Sequence, residues 1–251
     1  MSEDLAQRFR QARRDPGLVV LEGFHALKHA LRFGAEVVEA LAVDPAELAR
    51  LAAELAPDLI ATLGARVSAV EEETLAAMVP RPPRTGVVAI AHRPAVDVAA
   101  ALANERPVPL LLLEDPRSMA NVGACVRVAA AADAAGVLTT GRNDPWNPEA
   151  VRGAAGLQFA LPVAAVERLE ESDRALVAID PGGGDLRPDG LPPRAVLAFG
   201  TERQGLSPEL LARADARLGI PMRPGVSSLN LATSVAAVLF SQRLAGKAAG
   251  G

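Results

Sequence analysis

Residues 196–205 have the sequence Val-Leu-Ala-Phe-Gly-Thr-Glu-Arg-Gln-Gly, a short apolar run followed at once by a polar turn between two glycines. Four consecutive apolar residues are typical of a strand buried on both faces, as the strands of parallel sheets are. In open α/β sheets, ligands bind beyond the carboxyl ends of such strands. The stretch therefore predicts a parallel sheet with a polar loop, Gly200 to Gly205, at its ligand-binding edge.

The same alternation of apolar runs and helical segments extends over residues 107–251, and strands separated by helices imply parallel pairing. The predicted strands of this part are 110–113, 137–140, 175–179, 196–199 and a short one ending at Ile220. The predicted helices are 122–135, 148–155, one starting at Pro208 and a long one at about 228–244. The run Pro181-Gly-Gly-Gly184 is interpreted as a turn, because no Lys-Ser/Thr pair follows it as in a phosphate-binding loop.

Residues 1–95 form a smaller α/β pattern of their own. The predicted strands are 18–21, 37–43, 59–62 and 86–91. The predicted helices are one before Asp15, 24–33, 45–55 and one that opens at Glu71. Residues 96–106 are predicted to be a linker, which gives two domains, 1–95 and 107–251.

The composition excludes several classes of protein. Half of the 251 residues are hydrophobic (50 %), which is enough for a substantial core. The single cysteine, Cys125, excludes an internal disulfide and a multi-cysteine metal site, and the three histidines have no metal-ligand spacing. The N-terminus lacks a secretory signal, and no uncharged apolar run approaches the ~18 residues of a membrane span. We therefore expect a cytoplasmic protein with no metal ion and no membrane partner.

Net charge alone does not indicate nucleic-acid binding, because the formal charge of the chain is −4. Four arginines nevertheless cluster near the N-terminus: Arg8, Arg10, Arg13 and Arg14. Guanidinium groups bind phosphates bidentately and stack on bases, so this cluster is a candidate RNA contact. The alternative interpretation is a solvated helix face.

A first polar motif, Asn121-Val-Gly-Ala-Cys-Val-Arg127, lies where the first strand of the second part passes into a helix. An asparagine there can cap the exposed amides, and Gly123 permits the close approach of another backbone or a ligand. Arg127 has apolar neighbours, so its guanidinium must reach solvent, a carboxylate or an anionic substrate. From these residues alone, a structural ion pair and an active-site role both remain open.

Two further motifs follow in the second part. The second is the turn with Gly200, Glu202 and Gly205, and the third combines Ile220-Pro-Met222 with Ser228-Leu-Asn230. Each alone is compatible with an ordinary strand-to-helix turn or a capped helix. Their order and spacing behind the first motif favour a shared functional site.

Together these segments resemble the three ordered motifs of the SpoU (TrmH-like) RNA 2′-O-ribose methyltransferases, within the SPOUT superfamily. The resemblance covers about residues 107–245. It implies an α/β SPOUT domain with a parallel sheet and a C-terminal trefoil knot, and a homodimer with its active site at the subunit interface. The first domain is similar to the small L30e-like α/β domains that bind the RNA substrate, mainly in Val20-Leu-Glu-Gly23 and the following helix.

The resemblance also implies S-adenosylmethionine as the cofactor and assigns residues to roles. The expected catalytic residues are Asn121, Arg127, Glu202, Ser228 and Asn230. The expected cofactor-binding residues are Phe199, Gly200, Thr201, Gly205, Ile220, Met222, Ser228 and Leu229. Arg127 acts either as a base or together with a substrate phosphate. We favour the second role, because a free guanidinium stays protonated and so cannot readily accept a proton.

The expected function is therefore methylation of a ribose 2′-hydroxyl in structured RNA, with 23S ribosomal RNA favoured and tRNA as the alternative. A rival enzyme class, an NAD-dependent dehydrogenase, lacks support because no Gly-x-Gly-x-x-Gly follows the first strand of either domain. A non-catalytic RNA-binding protein with the same fold is the other alternative.

Overall fold

The computed structural model describes residues 2–187, 190–201 and 204–248. The chain divides into two compact units. The first contains the residues up to Ala95 together with Trp146–Ala160, and the second contains Val96–Pro145 and the residues from Leu161 onward. Among the described helices, none is long and apolar enough to cross a membrane.

The first unit is built on a four-stranded sheet. Its strands are β1 (Leu18–Glu22), β2 (Val37–Ala42), β3 (Ser68–Ala69) and β4 (Val87–His92). Their order is β1-β4-β2-β3, with β4 antiparallel to β1 and β2, and β2 parallel to β3. The helices before residue 95 are α1 (Ser2–Ala12), α2 (Phe24–Arg32), α3 (Pro45–Leu55), α4 (Ile60–Arg66) and α5 (Glu72–Met78). A core cluster joins Phe9 of α1 and Leu75 of α5 to the sheet residues Val20 and Val88.

The second unit contains a six-stranded sheet in which every pair of neighbours is parallel. Its strands are β5 (Leu110–Leu113), β6 (Gly136–Thr139), β7 (Val163–Ala165), β8 (Leu176–Asp185), β9 (Val196–Phe199) and β10 (Ala216–Gly219), in the order β10-β8-β9-β5-β6-β7. Its helices are α6 (Val98–Ala103), α7 (Met119–Ala131), α9 (Pro208–Arg213) and α10 (Leu231–Ala248). Every residue of β5 and β9 is buried. This confirms the predicted α/β fold with a parallel sheet.

An inserted segment, Trp146–Ala160, leaves the second part of the sequence and packs in the first unit. It contains α8 (Pro148–Gly153) and a 3₁₀ turn at Leu157–Ala160. Nε of Arg152 donates to Oε2 of Glu22 at 3.1 Å, and Nη2 of Arg13 reaches Oε1 of the same carboxylate at 2.5 Å. Because a buried carboxylate is costly unless it is paired, these two guanidinium groups fix the segment and α1 to the end of β1.

A second set of contacts holds the other end of the inserted segment against α2. Nδ1 of His29 donates to the carbonyl oxygen of Ala155 at 2.7 Å. Burial lowers the pKa of His29 below its ordinary value, which favours the neutral ring. Gly156 follows with φ +77°, and a Cβ there would lie 2.5 Å from the Ala26 carbonyl oxygen. The backbones of the segment and of α2 are thus in direct contact.

The predicted strand at 59–62 is wrong. Pro57–Leu59 form a 3₁₀ turn that continues directly into α4. Leu59 and Leu63 are both buried, and their separation of four residues places them on one helical face. The helical period therefore prevails over the short apolar run.

The segment predicted as a linker, residues 96–106, is folded onto the second unit. Asp97 caps α6 by accepting from the amide of Ala100 at 2.9 Å, and Leu102 is buried. The buried guanidinium of Arg174 donates to the carbonyl oxygens of Leu102 and Asn104 at 2.7 and 2.6 Å. These bonds hold the backbone of this segment beside the start of β8.

We predict that Gly156→Ala destabilises the protein through the contact between the inserted segment and α2. Gly34 has nearly the same backbone angle, φ +79°, but a Cβ there meets nothing within 4 Å. Gly34→Ala should therefore cost only the left-handed backbone strain of about 1–2 kcal/mol. Gly156→Ala should cost about 1–3 kcal/mol more, since its methyl group overlaps backbone atoms.

Urea unfolding of the two variants measures the difference in the free energy of unfolding. Equal losses in the two variants would contradict the described packing of Gly156 on Ala26.

Candidate active site

Loops at the carboxyl edge of β8, β9 and β10 enclose a cavity of about 440 Å³. Such an edge is where open α/β sheets bind ligands, and the volume suits a small organic molecule. All eight residues predicted to bind a cofactor line this cavity: Phe199, Gly200, Thr201, Gly205, Ile220, Met222, Ser228 and Leu229. The structure thus brings the second and third motifs together around one space.

The turn after β9 is closed by backbone contacts that need glycine at both ends. The amide of Thr201 donates to the carbonyl of Gly205 at 3.1 Å, and the amide of Gly205 donates back at 3.0 Å. A Cβ on Gly200 would overlap the backbone of Gly205 and Leu206, and Gly205 has φ +67°. Side chains other than hydrogen at these positions would open the turn that forms one wall of the cavity.

Glu114, which the sequence does not single out, supports this edge of the sheet. It follows β5 directly, and its carboxylate accepts from the Ser207 amide at 2.7 Å and from the Ser207 hydroxyl at 2.6 Å. Ser207 in turn caps α9 by accepting from the amide of Leu210 at 3.1 Å. The sequence could have indicated Glu114, because it is a polar residue directly after a buried apolar run. Asp180, which lines the cavity, follows the apolar run ending at Ile179 in the same way.

Asn121 and Asn230 join the first and third motifs. Nδ2 of Asn230 donates to Oδ1 of Asn121 at 3.1 Å. Oδ1 of Asn230 accepts from the amide of Ala232 at 2.9 Å, so the same side chain caps the start of α10. The expected capping role of Asn121 is wrong, because α7 begins earlier and Ser118 is its cap, accepting from the Asn121 amide at 3.2 Å.

Arg127 lies on α7 with an exposed side chain, whereas its neighbours Cys125 and Val126 are fully buried. The structure gives its guanidinium no hydrogen bond or ion pair to any described residue. The interpretation of Arg127 as a member of a structural ion pair therefore has no support within the described part of the chain. Glu202, the other charged residue of the expected catalytic set, lies outside the described residues.

The four N-terminal arginines differ in their surroundings. Arg8 forms an ion pair with Glu39 at 2.6 Å, and Arg13 is committed to the buried carboxylate of Glu22. Arg10 and Arg14 are exposed, and their guanidinium groups form no hydrogen bond or ion pair with a described residue. The structure thus divides the predicted RNA contact into two paired and two available guanidinium groups.

Within the described residues, no group of three or more His, Cys, Asp or Glu side chains could hold a metal ion. The described residues that line the cavity instead supply apolar side chains, hydroxyl groups, amides and one carboxylate.

Comparison with known families gives two matches. Residues 109–240 match the SpoU rRNA Methylase family. Residues 20–96 match a domain described as RNA 2'-O ribose methyltransferase substrate binding. The first match contains all three motifs, and the second covers most of the first unit before residue 95.

Individual proteins are similar over nearly the whole chain. The 23S rRNA (uridine(2479)-2'-O)-methyltransferase of Streptomyces viridochromogenes is 28 % identical over 268 residues, covering 96 % of this chain and 88 % of the relative. The crystal structure of the SpoU methyltransferase AviRb from the same species, in complex with AdoMet, shares the fold, with a TM-score of 0.78, 23 % identity and 97 % coverage of both chains. An AdoMet-bound rRNA methyltransferase from Sinorhizobium meliloti superposes with a TM-score of 0.75 and 25 % identity, covering 97 % of this chain and 94 % of the other.

We predict that Asn121 and Asn230 stabilise the protein as a pair. A double-mutant cycle with Asn121→Ala and Asn230→Ala should give a coupling free energy of about 0.5–1.5 kcal/mol, the net value of one hydrogen bond. The measurement is chemical unfolding of the wild type, the two single variants and the double variant.

Asn147 provides the matched control, because it caps α8 by accepting from the Glu149 amide at 2.9 Å and has no bond to Asn121. Pairing Asn121→Ala with Asn147→Ala should give strictly additive losses. Additive losses for Asn121 and Asn230 as well would show that the bond between the two motifs contributes nothing.

Proposed function

This chain belongs to the SpoU rRNA Methylase family, and from that premise we propose that it transfers a methyl group from S-adenosylmethionine to a ribose 2′-hydroxyl of 23S ribosomal RNA. The observation that carries the proposal is the cavity at the carboxyl edge of the sheet, which gathers residues of the second and third motifs. The relative from Streptomyces viridochromogenes is named for this reaction on 23S rRNA. A ribosomal substrate would place the reaction in the cytoplasm, and tRNA remains the alternative substrate.

The residues of the cavity fit an adenosyl cofactor. Phe199, Ile220 and Leu229 supply apolar walls for a purine, while hydroxyl groups and backbone amides surround them. Gly200 and Gly205 leave the backbone of the turn bare, so a ligand can approach it closely. When bound, S-adenosylmethionine supplies a methyl group on a positively charged sulfur.

Arg127 is proposed to position the RNA. A guanidinium remains protonated in proteins, so Arg127 acts as a cation that holds a phosphate of the substrate in a bidentate grip. The gripped phosphate would orient the 2′-hydroxyl for attack on the methyl group. Orientation of this kind can account for much of the rate of a displacement reaction.

The other residues of the catalytic set are proposed to hold the loops in place. Asn230 bonds the start of α10 to Asn121, and Ser228 lines the cavity. Glu202 is proposed to orient Arg127 or the turn after β9, as the family pattern implies. These residues act by fixing the geometry in which the reacting groups meet.

We also propose a homodimer and a trefoil knot, as the family pattern implies. Large apolar side chains are exposed on α10 and on the loop before it: Phe240, Leu244, Val226 and Leu229. Exposed apolar groups gathered on one region are typical of protein interfaces. A second copy of this chain on α10 would cover them.

The proposed reaction can be tested with ribosomal RNA from a strain that lacks the gene for this protein. The purified protein should transfer labelled methyl to one ribose 2′-oxygen of 23S RNA, detected by mass spectrometry of nuclease digests. Arg127→Lys should lose at least about 100-fold in turnover, because a lysine cannot form the planar bidentate grip. Arg168→Lys, which changes another exposed arginine of the second unit, should leave turnover unchanged.

Methyl groups found only on bases would contradict the proposed reaction, and methyl groups found only on tRNA would contradict the proposed substrate. Wild-type turnover in Arg127→Lys would show that the guanidinium geometry is not used.

A separate prediction concerns RNA binding by the first unit. Replacing Arg10 and Arg14 together by Gln should weaken RNA binding and reduce the slope of log K against log salt by about 2, as expected for two lost phosphate contacts. The matched control replaces Arg32 and Arg50 by Gln, since both already bind carboxylates, Asp58 and Glu47. An unchanged salt slope in the first double variant would show that Arg10 and Arg14 are only solvated.

A further inference from the structure

Among the described residues that line the cavity, Asp180 is the one with a charged side chain. The side chain is only 14 % exposed, so it is held in the wall of the cavity rather than extended into solvent. A carboxylate in such a place must be paired or must serve a ligand. The three motifs do not include Asp180.

An irregularity in the pairing of β8 with β10 places Asp180 in the wall of the cavity. Along β10, Arg217 pairs with Ala178 of β8, but the next residue, Leu218, pairs with Gly184. The residues between Ala178 and Gly184 therefore have no partners on β10, and this bulge places Asp180 and Pro181 in the lining of the cavity.

The triple glycine, which the sequence predicts to be a turn, makes this bulge possible. A Cβ on Gly182 would overlap the guanidinium of Arg217, and a Cβ on Gly183 would lie 2.5 Å from the Arg217 carbonyl carbon. Arg217 can lie across the bulge only because both positions lack a side chain. Its guanidinium then reaches Asp180.

The described hydrogen bonds of Asp180 all go to one carboxylate oxygen, and the other oxygen is available on the side of the cavity. Oδ1 accepts from Nε of Arg217 at 2.9 Å, from Nη2 of the same guanidinium, and from the Gly182 amide at 2.8 Å. No hydrogen bond from a described residue reaches Oδ2. Oδ2 lies beside Gly205, where an added Cβ would be 3.7 Å away.

Resting on the proposed function, we infer that Oδ2 of Asp180 accepts hydrogen bonds from the ribose hydroxyls of the bound adenosyl group. Arg217 already balances the charge of the carboxylate, so the free oxygen suits a neutral hydroxyl donor better than a second cation such as the sulfonium or the ammonium group. Acidic side chains at the carboxyl edge of α/β sheets hold ribose hydroxyls in other nucleotide-binding folds. Arg217 and the glycine bulge position the carboxylate for this task.

Calorimetry with S-adenosylhomocysteine and its 2′,3′-dideoxy analogue tests the inference, because the two ligands differ only in the ribose hydroxyls. The wild type should bind the dideoxy analogue about 10- to 100-fold more weakly, the value of hydrogen bonds to a charged acceptor. Asp180→Asn should lower the affinity for S-adenosylhomocysteine by a similar factor but bind the dideoxy analogue with the affinity of the wild type. The same variant should also lower the affinity for 5′-methylthioadenosine, which lacks the amino acid part, by that factor.

Asp173→Asn is the matched control, because Asp173 forms an exposed pair with Arg194 at 2.9 Å outside the lining of the cavity. It should bind all three ligands like the wild type. The inference is overturned if Asp180→Asn binds S-adenosylhomocysteine or 5′-methylthioadenosine with the affinity of the wild type. It is also overturned if the variant loses as much affinity for the dideoxy analogue as for S-adenosylhomocysteine. A wild type that binds none of the ligands would instead overturn the proposed function.

Discussion

Burial of the central parallel strands on both faces is the constraint on which the second unit depends. Each of the four leucines of β5 is buried, and each contributes about 1.5–3 kcal/mol relative to exposure. Strands of this kind have no room for functional polar side chains along their length. Polar side chains are therefore confined to the residues that follow the buried part of each strand, and the cavity lies at that edge.

The loops at that edge are held by a few hydrogen bonds between residues far apart in sequence. Glu114 fixes the start of α9 through Ser207, and Asn121 meets Asn230 across 109 residues. The mutual backbone bonds of Thr201 and Gly205 close the turn between them. A preorganised site of this kind suits methyl transfer, in which rate depends on the placement of the reacting groups.

The sequence predicts the parts of this arrangement that depend on local pattern. The bounds of β5 and β9 agree with their apolar runs, and the three motifs lie in one unit as expected. Pairings between distant residues could not be predicted, because no local pattern reports that Arg152 would reach Glu22 across 130 residues. For that reason the sequence does not predict that residues 146–160 pack in the first unit.

Local patterns also fail where two interpretations share the same residues. The apolar residues at 59–62 suit either a short strand or one face of a helix, and burial of both Leu59 and Leu63 selects the helix. The triple glycine suits a turn or a bulge, and only the position of Arg217 across it shows which. The roles of the site residues likewise follow from where a ligand lies, which sequence patterns do not specify.

The most direct test of the account is a crystal structure of the protein grown with S-adenosylhomocysteine. The account predicts the adenosyl group in the cavity at the carboxyl edge of β8, β9 and β10, with its purine between Phe199, Ile220 and Leu229. Density for the ligand at any other place, or an unchanged cavity at saturating ligand, would contradict it.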